Sequence, residues 1–436
     1  MDEKIKIIGI GDDGKNGIFP SYLEWINSAE LLVGGERHLG FFPEFAQEKL
    51  TIKGNLADIL ELLQEREGHQ RIVVLSSGDP LFFGIAQLFL RRFGEERVVV
   101  YPHLSSVQLI FSRIGLSWQD AYIESLHGRK MTGLAQRIDG KKKIALLTDV
   151  DNTPVAIADY LLSFGFTEYE MLVGEDLGSE QERVRRFALE DLAGQDFSPL
   201  NIVVLQEISA NTPGFHLGIE DEEFFQRRPD KGLITKKEIR VISLSEMKLQ
   251  PNSVVWDVGA GSGSISVEAC KLAPSGQVFA IEKTASNLDN LRQNMKKFRT
   301  DFQVLHGSAP EVLVDLPAPD AIFIGGSGGN LADIIQLGCE RLKKNGRIVL
   351  NAVMLETLTE AKTALEKKGF TTKINLIQVA RSKPIIGMTR FEGLNPVYII
   401  TAYRKQDYIE KRRLGEHGTF KYHRSFVRSR LRTGGP

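Results

Sequence analysis

The sequence predicts an α/β protein in two successive parts, and three observations carry that expectation. Apolar, β-branched runs such as 71–75 and 254–258 read as buried strands. Each feeds a glycine-containing turn and then a helical stretch, as in strand–turn–helix folds. A break at Asn211-Thr212-Pro213-Gly214, followed by the acidic run IEDEEFFQRRPDKG, splits the chain near its middle.

Bulk properties agree. A chain of 436 residues exceeds one typical domain, and 42% hydrophobic with 25% charged residues suits sizeable cores. Lys+Arg 55 against Asp+Glu 56 gives a net charge of −1, whereas a general nucleic-acid binder is more basic. Cys270 and Cys339 lie far apart, so neither a disulfide framework nor a metal site is expected. The N-terminus begins a strand at once, without a signal-peptide pattern, and no apolar run reaches membrane-spanning length. A cytoplasmic protein without a membrane partner is expected.

Residues 4–10 form the first strand and enter the loop Gly9-Ile10-Gly11-Asp12-Asp13-Gly14. A helix over 20–30, a strand at 31–33 and a helix over 55–67 follow. Strand 71–75 leads to Ser76-Ser77-Gly78-Asp79-Pro80, where Pro80 is placed to start a helix with Asp79 as its N-cap, or to leave N–H groups for a ligand. Strand 98–101 leads to Pro102-His103-Leu104-Ser105-Ser106, where either serine caps the next helix or meets a ligand; His103 reads as a plain loop histidine. Strands at 143–148, 170–173 and 202–205 and a helix over 154–163 form a second α/β set.

Taken in order, GIGDDG, SSGDPLFFG, PHLSS, SLHGR, LLTD, VGEDLGSEQE and NIVVL resemble the tetrapyrrole methylase family over residues 4–206. The resemblance implies two α/β subdomains with S-adenosylmethionine in the cleft between them. By match, the loops 9–14, Ser77, Gly78 and Asp79, and Ser105 and Ser106 line that cleft.

In the second half, Thr235 and Glu238 have capping-box spacing, predicting a helix from Thr235 to Leu249. The stretch VVWDVGAGSG at 254–263 then reads as strand, glycine turn and helix start. The next strand ends at Glu282, well placed for two ribose hydroxyls. A dinucleotide fingerprint needs G-x-G-x-x-G, but its third glycine position here is Ser264. The pattern favours S-adenosylmethionine, with Asp257 toward its ammonium and the glycine N–H groups toward its methionine portion. Strands at 302–305, 321–324 and 347–350 follow. The strand end at 325–329, with Gly326, Ser327 and Gly328, lacks the Asn-Pro-Pro-aromatic pattern that grips a planar amine, so bare backbone facing a large anionic substrate is expected there. A last hairpin with Asn395-Pro396 as its turn presents Arg381, Lys383 and Arg390, and Arg381 and Arg390 suit substrate carboxylates.

LITKKEIR, VVWDVGAGSGSISVEAC, AIEK, HGSAPE, IGGSGG and NPV resemble class I methyltransferases, most specifically the decarboxylating half of the precorrin-6Y C5,15-methyltransferase family, over about 231–402. The resemblance implies a tetrapyrrole methylase fold followed by a Rossmann-like class I methyltransferase domain. By match, Thr235, Gly259, Gly261, Gly263, Glu282 and Ala309 contact S-adenosylmethionine. It implies methylation of a precorrin or cobalt-precorrin at C-5 by residues 1–210, and methylation at C-15 with loss of the C-12 acetate carboxylate by residues 232–403. Residues 211–231 are expected to be a linker and 404–436 a flexible basic tail. A homo-oligomer is expected and no nucleic acid. The rival readings are an RNA methyltransferase using the tail and a non-catalytic S-adenosylmethionine-binding regulator.

Overall fold

Every β-branched run singled out in the sequence is a strand in the computed structural model, which describes residues 4–54, 56–209, 215–226 and 234–405. The chain divides into two units, Met1–Phe215 and His216–Pro436. Among the described residues no helix is long and apolar enough to cross a membrane.

The first unit holds two sheets. β1 (Ile5–Ile10), β2 (Leu31–Gly34), β3 (Glu48–Thr51), β4 (Ile72–Ser77) and β5 (Val98–Tyr101) pair in the order β3-β2-β4-β1-β5, all parallel. β1 sends Ile5 and Ile7 into one core and Ile8 and Ile10 into another, so the sheet is buried on both faces. That explains why these strands read as unbroken apolar runs. β6 (Tyr122–Ser125), β7 (Lys143–Leu147), β8 (Tyr169–Glu175), β9 (Arg183–Ala188) and β10 (Asn201–Glu207) form the second sheet, ordered β6-β7-β10-β8-β9. Here only β6 and β7 run parallel. β9, RVRRFA, was not legible as a strand because it is a charged edge.

In the second unit, β11 (Val254–Val258), β12 (Gln277–Glu282), β13 (Gln303–His306), β14 (Ala321–Ile324), β15 (Arg347–Ala352), β16 (Phe370–Ile377) and β19 (Val397–Arg404) make one sheet, ordered β13-β12-β11-β14-β15-β19-β16. The first five are parallel, and β19 runs antiparallel to β15 and β16. Trp256 and Val258 face one core and Val255 the other. β17 (Ala380–Ile385) and β18 (Met388–Gly393) form a separate two-stranded hairpin.

Four local expectations are corrected. Pro80 does not open a helix: the Asp79 carboxylate accepts the Leu81 N–H at 2.9 Å in a local turn, and the helix begins at Ala86. The capping box at Thr235 is not formed. That helix is Lys237–Met247, its N-cap is Lys236, and Glu238 turns to Arg381. The hairpin turn is Ile386-Gly387, both at positive φ, not Asn395-Pro396, which leads into β19. The expected linker is, over 216–226, part of the second unit. Gly218 and Ile219 donate their N–H groups to Glu268, and Phe225 exchanges two hydrogen bonds with Asn294. The rest of that linker, and the basic tail from 406 on, lie outside the described residues.

Candidate active site

Parallel strands bring their carboxyl ends to one sheet edge, where turns and helix N-termini leave backbone groups free for a ligand. In the second unit this edge surrounds a cavity of about 550 Å³, within the usual range for small-molecule sites. Thr235, Asp257, Gly259, Gly261, Glu282, Ala309, Gly326, Ser327 and Gly328 line it.

The glycine turn explains its own composition. Gly259, Gly261 and Gly263 have φ of +77°, +57° and +78°, a region other residues enter at a cost. At Gly259 a Cβ would also lie 2.6 Å from the Gly326 carbonyl oxygen, so the two loops touch backbone to backbone. Gly261 donates its N–H to Glu282 Oε2 at 2.8 Å, and Thr284 donates to Oε1 at 2.7 Å. Glu282 therefore fixes the loop, and each carboxylate oxygen retains acceptor capacity for a ligand hydroxyl. Gly263 does not line the cavity. It is the N-cap of the helix Ser264–Leu272, and a Cβ there would lie 3.2 Å from the Leu291 side chain.

Asp257 is 1% exposed and accepts a short hydrogen bond from Ser266. Burial pushes its carboxyl up to about 7, helped slightly by the charge of Glu282. A cationic group arriving beside it would restore the ionised form. The Thr235 carbonyl is held by Arg240 Nη1 at 2.7 Å, which fixes that rim of the cavity. Asn330 Nδ2 donates to the Ala309 carbonyl at 3.2 Å.

The arginines expected at the substrate lie elsewhere. Arg381 binds both oxygens of Glu238, at 3.0 and 2.7 Å, and Asp221 at 2.9 Å; these acceptors raise its already high pKa. Arg390 stands 3.6 Å from Glu392 on the exposed hairpin strand. Neither lines the cavity. Spacing in sequence could not show that Asp221 and Glu238 would claim Arg381.

In the first unit the ends of β1, β4 and β5 are stitched together. Gly78 donates its N–H to the Ile10 carbonyl at 3.0 Å, and His103 donates to the Gly78 carbonyl at 3.3 Å. A Cβ on Gly9 would be 2.1 Å from that same carbonyl oxygen. Ser105 caps the helix Ser106–Ile114 in a capping box with Gln108, so its hydroxyl is committed to the helix. Ser106 is the first helical residue. Ser77 Oγ lies 3.0 Å from His38 Nε2 and accepts from Arg37 Nη2 at 3.3 Å, while Arg37 pairs with Asp12. His38 is lowered to about 4 by burial and by the Arg37 charge, so it is neutral at pH 7. His103 is more than a loop residue: its Nε2 is 3.1 Å from the Gly17 carbonyl and 3.9 Å from Asp13. Asp12 follows β1, Arg37 and His38 lie on the short helix Glu36–Gly40, and Ser77 ends β4, so only topology brings them together.

Known proteins show the same division. A family model described as Tetrapyrrole (Corrin/Porphyrin) Methylases matches residues 4–193, and one described as Precorrin methyltransferase domain matches residues 225–404. A Sinorhizobium protein named Precorrin-6Y C(5,15)-methyltransferase [decarboxylating] is 32% identical over 404 residues, 90% of this chain and 94% of that protein. A Salmonella typhimurium Cobalt-precorrin-7 C(5)-methyltransferase is 33% identical over 47% of this chain and 99% of its own length. A Pyrobaculum calidifontis protein named "Probable cobalt-precorrin-6B C(15)-methyltransferase (decarboxylating)" is 41% identical over 43% of this chain and 95% of its own length. The two units are a tetrapyrrole methylase fold followed by a Rossmann-like methyltransferase fold. The chain is a methyltransferase, and it belongs to the decarboxylating precorrin-6Y C5,15-methyltransferase family.

Proposed function

We propose that this chain methylates precorrin-6B, or its cobalt form, at C-5 and C-15 and removes the C-12 acetate carboxylate, giving precorrin-8 on the route to cobalamin. The observation that carries this reading is the presence in one chain of two methylase units, each with a glycine-bearing loop at the carboxyl edge of a parallel sheet. We assign C-5 methylation to the first unit, and C-15 methylation with decarboxylation to the second. The likeness of separate C(5) and C(15) relatives, each to less than half of the chain, supports that division.

The second-unit residues fit S-adenosylmethionine. Gly259 offers a backbone cradle that a Cβ would close, Asp257 suits an ammonium, Glu282 a ribose and Ala309 the flank of an adenine. When bound, this cofactor supplies an electrophilic methyl group on a sulfonium. In the first unit, Ser77, Gly78, Asp79 and Ser106 take the corresponding role, and Ser105, whose hydroxyl and N–H both engage Gln108 in the cap, fixes the start of that helix.

The protein's own contribution is placement. Gly325, Gly326 and Gly328 keep side chains away from the acceptor carbon, and Ser327 adds one hydroxyl. Ile234, Phe323, Val379, Leu394 and Val397 give the cavity apolar walls against which the ring can pack. Alignment of this kind is worth about 7–11 kcal/mol when reactants are well oriented. Apolar walls also favour decarboxylation, because a carboxylate loses stabilising hydration as its charge moves into the ring. Nothing among the relatives supports an RNA methyltransferase or a silent cofactor-binding regulator.

The test is direct. The full chain is incubated with S-adenosylmethionine and precorrin-6B, with and without cobalt, and product mass is read. Two added methyl groups with loss of carbon dioxide support the assignment; an unaltered ring under both conditions overturns it.

A further inference from the structure

We infer that Lys283, assisted by Lys236, anchors the peripheral carboxylates of the ring in the second-unit cavity, the task that sequence spacing gave to Arg381 and Arg390. This deepens the proposed function and rests on that reading.

Among the described residues, Lys236 and Lys283 are the two basic side chains lining the cavity. Its two acidic linings are already committed: Glu282 holds the Gly261 and Thr284 amides, and Asp257 holds Ser266. Among the described residues neither lysine has a carboxylate partner, and Lys283 makes a single long hydrogen bond, 3.5 Å to the Gly328 carbonyl. By contrast, Arg381 and Arg390 are each met by acidic neighbours outside the cavity.

Position argues the same way. Lys283 follows Glu282 at the carboxyl end of β12, yet its side chain crosses to the 325–329 loop. A Cβ on Gly328 would lie 2.5 Å from Lys283 Nζ, so the missing side chain makes room for the ammonium. The charge thus stands beside the 325–329 loop, which the proposed function assigns to the substrate. A lysine is a compact, hydrated point charge on a flexible stem, suited to follow a propionate or acetate arm. It should not grip the departing carboxylate, since stabilising that charge would oppose decarboxylation; its place is on an arm that stays.

The test compares full-length wild type with Lys283→Gln, Lys236→Gln, the double variant carrying both Gln replacements, and Lys283→Arg. For the C-15 step, Lys283→Gln is expected to raise KM for the ring roughly tenfold with kcat within about twofold, and the arginine variant to recover most of that loss. The wild-type KM should rise with salt, and the Gln variants should respond less. Affinity for S-adenosylmethionine should be unchanged. A parallel fluorescence titration with uroporphyrin, whose side chains are all carboxylates, should show one weakened binding phase in the double Gln variant. Unchanged KM overturns the inference, as does a loss of cofactor affinity equal to the KM change, which would place Lys283 in the cofactor site. A wild type inactive on the ring refutes the functional reading instead, and the uroporphyrin titration then decides the role of the lysines by itself.

Discussion

The Glu282 carboxylate accepts the Gly261 amide at 2.8 Å, so the residue expected to bind ribose also holds the loop expected to bind the methionine portion. One side chain couples two parts of the cofactor site. Replacing it should damage both.

Glu282→Ala is expected to weaken S-adenosylmethionine binding in the second unit by about 10–100-fold, the size of losing charge-assisted hydrogen bonds. C-5 methylation should persist when the ring is supplied already methylated at C-15 and decarboxylated. Mass spectrometry of separate incubations checks this: little methyl gain or carbon dioxide loss from precorrin-6B, and one methyl gained by the later ring.

Gly259 and Gly326 touch across the cavity floor but tolerate different changes. Gly259→Ala adds a Cβ 2.6 Å from the Gly326 oxygen at a positive φ. It should cost about 1–3 kcal/mol in the second-unit transition and abolish C-15 methylation. A Cβ at Gly326 meets nothing within 4 Å. Gly326→Ala should therefore keep stability and cofactor affinity while raising KM for the ring. Calorimetry and steady-state kinetics separate the two.

Asp257 offers a pH test with a definite sign. Its folded value of about 7 exceeds the ordinary carboxylate value of about 3.9. Between those limits the folded state holds the extra proton, so this group's contribution is full below about pH 4 and is lost as pH rises to 7. Asp257→Asn should melt near the wild-type temperature at pH 4 and several degrees higher at pH 8. It should nonetheless bind S-adenosylmethionine at least tenfold more weakly. A variant less stable than wild type at pH 8 would falsify the burial argument.

His38 has the opposite slope. Its value is lowered from 6.5 to about 4, so the unfolded chain binds the proton more readily between those limits. The contribution is full above pH 6.5 and is lost as pH falls toward 4. The first-unit transition should thus weaken with acid, and His38→Asn should flatten that dependence in thermal scans.

Arg240, fully buried, joins Glu268 at 2.9 Å and Asp221 at 3.3 Å. Arg240→Ala should cost about 3–5 kcal/mol by removing the buried cation between two buried carboxylates, leaving Glu268 with the Gly218 and Ile219 amides and Asp221 with Arg381. Arg240→Met with Glu268→Gln should cost less. Denaturant unfolding measures this, and limited proteolysis should show earlier cleavage within 215–226 in the alanine variant.

The sequence alone determined the strands, because a sheet buried on both faces demands unbroken apolar runs, and each such run is local. It also determined the turn after β11, since Gly259, Gly261 and Gly263 satisfy a backbone requirement that only neighbouring residues impose. The strands it hid, β3, β6, β9 and β16, all lie at sheet edges, where that demand lapses. What tertiary structure decided is how charges are shared. Arg381 is claimed by Glu238 and Asp221, residues at least 143 positions away in sequence. Among the described residues Lys283 escapes such pairing and lines the cavity. His38 and Arg37 reach Ser77 across 39 and 40 positions. Ion pairs and hydrogen bonds act over a few ångströms of space, and the topology of the sheets sets which side chains come within that range.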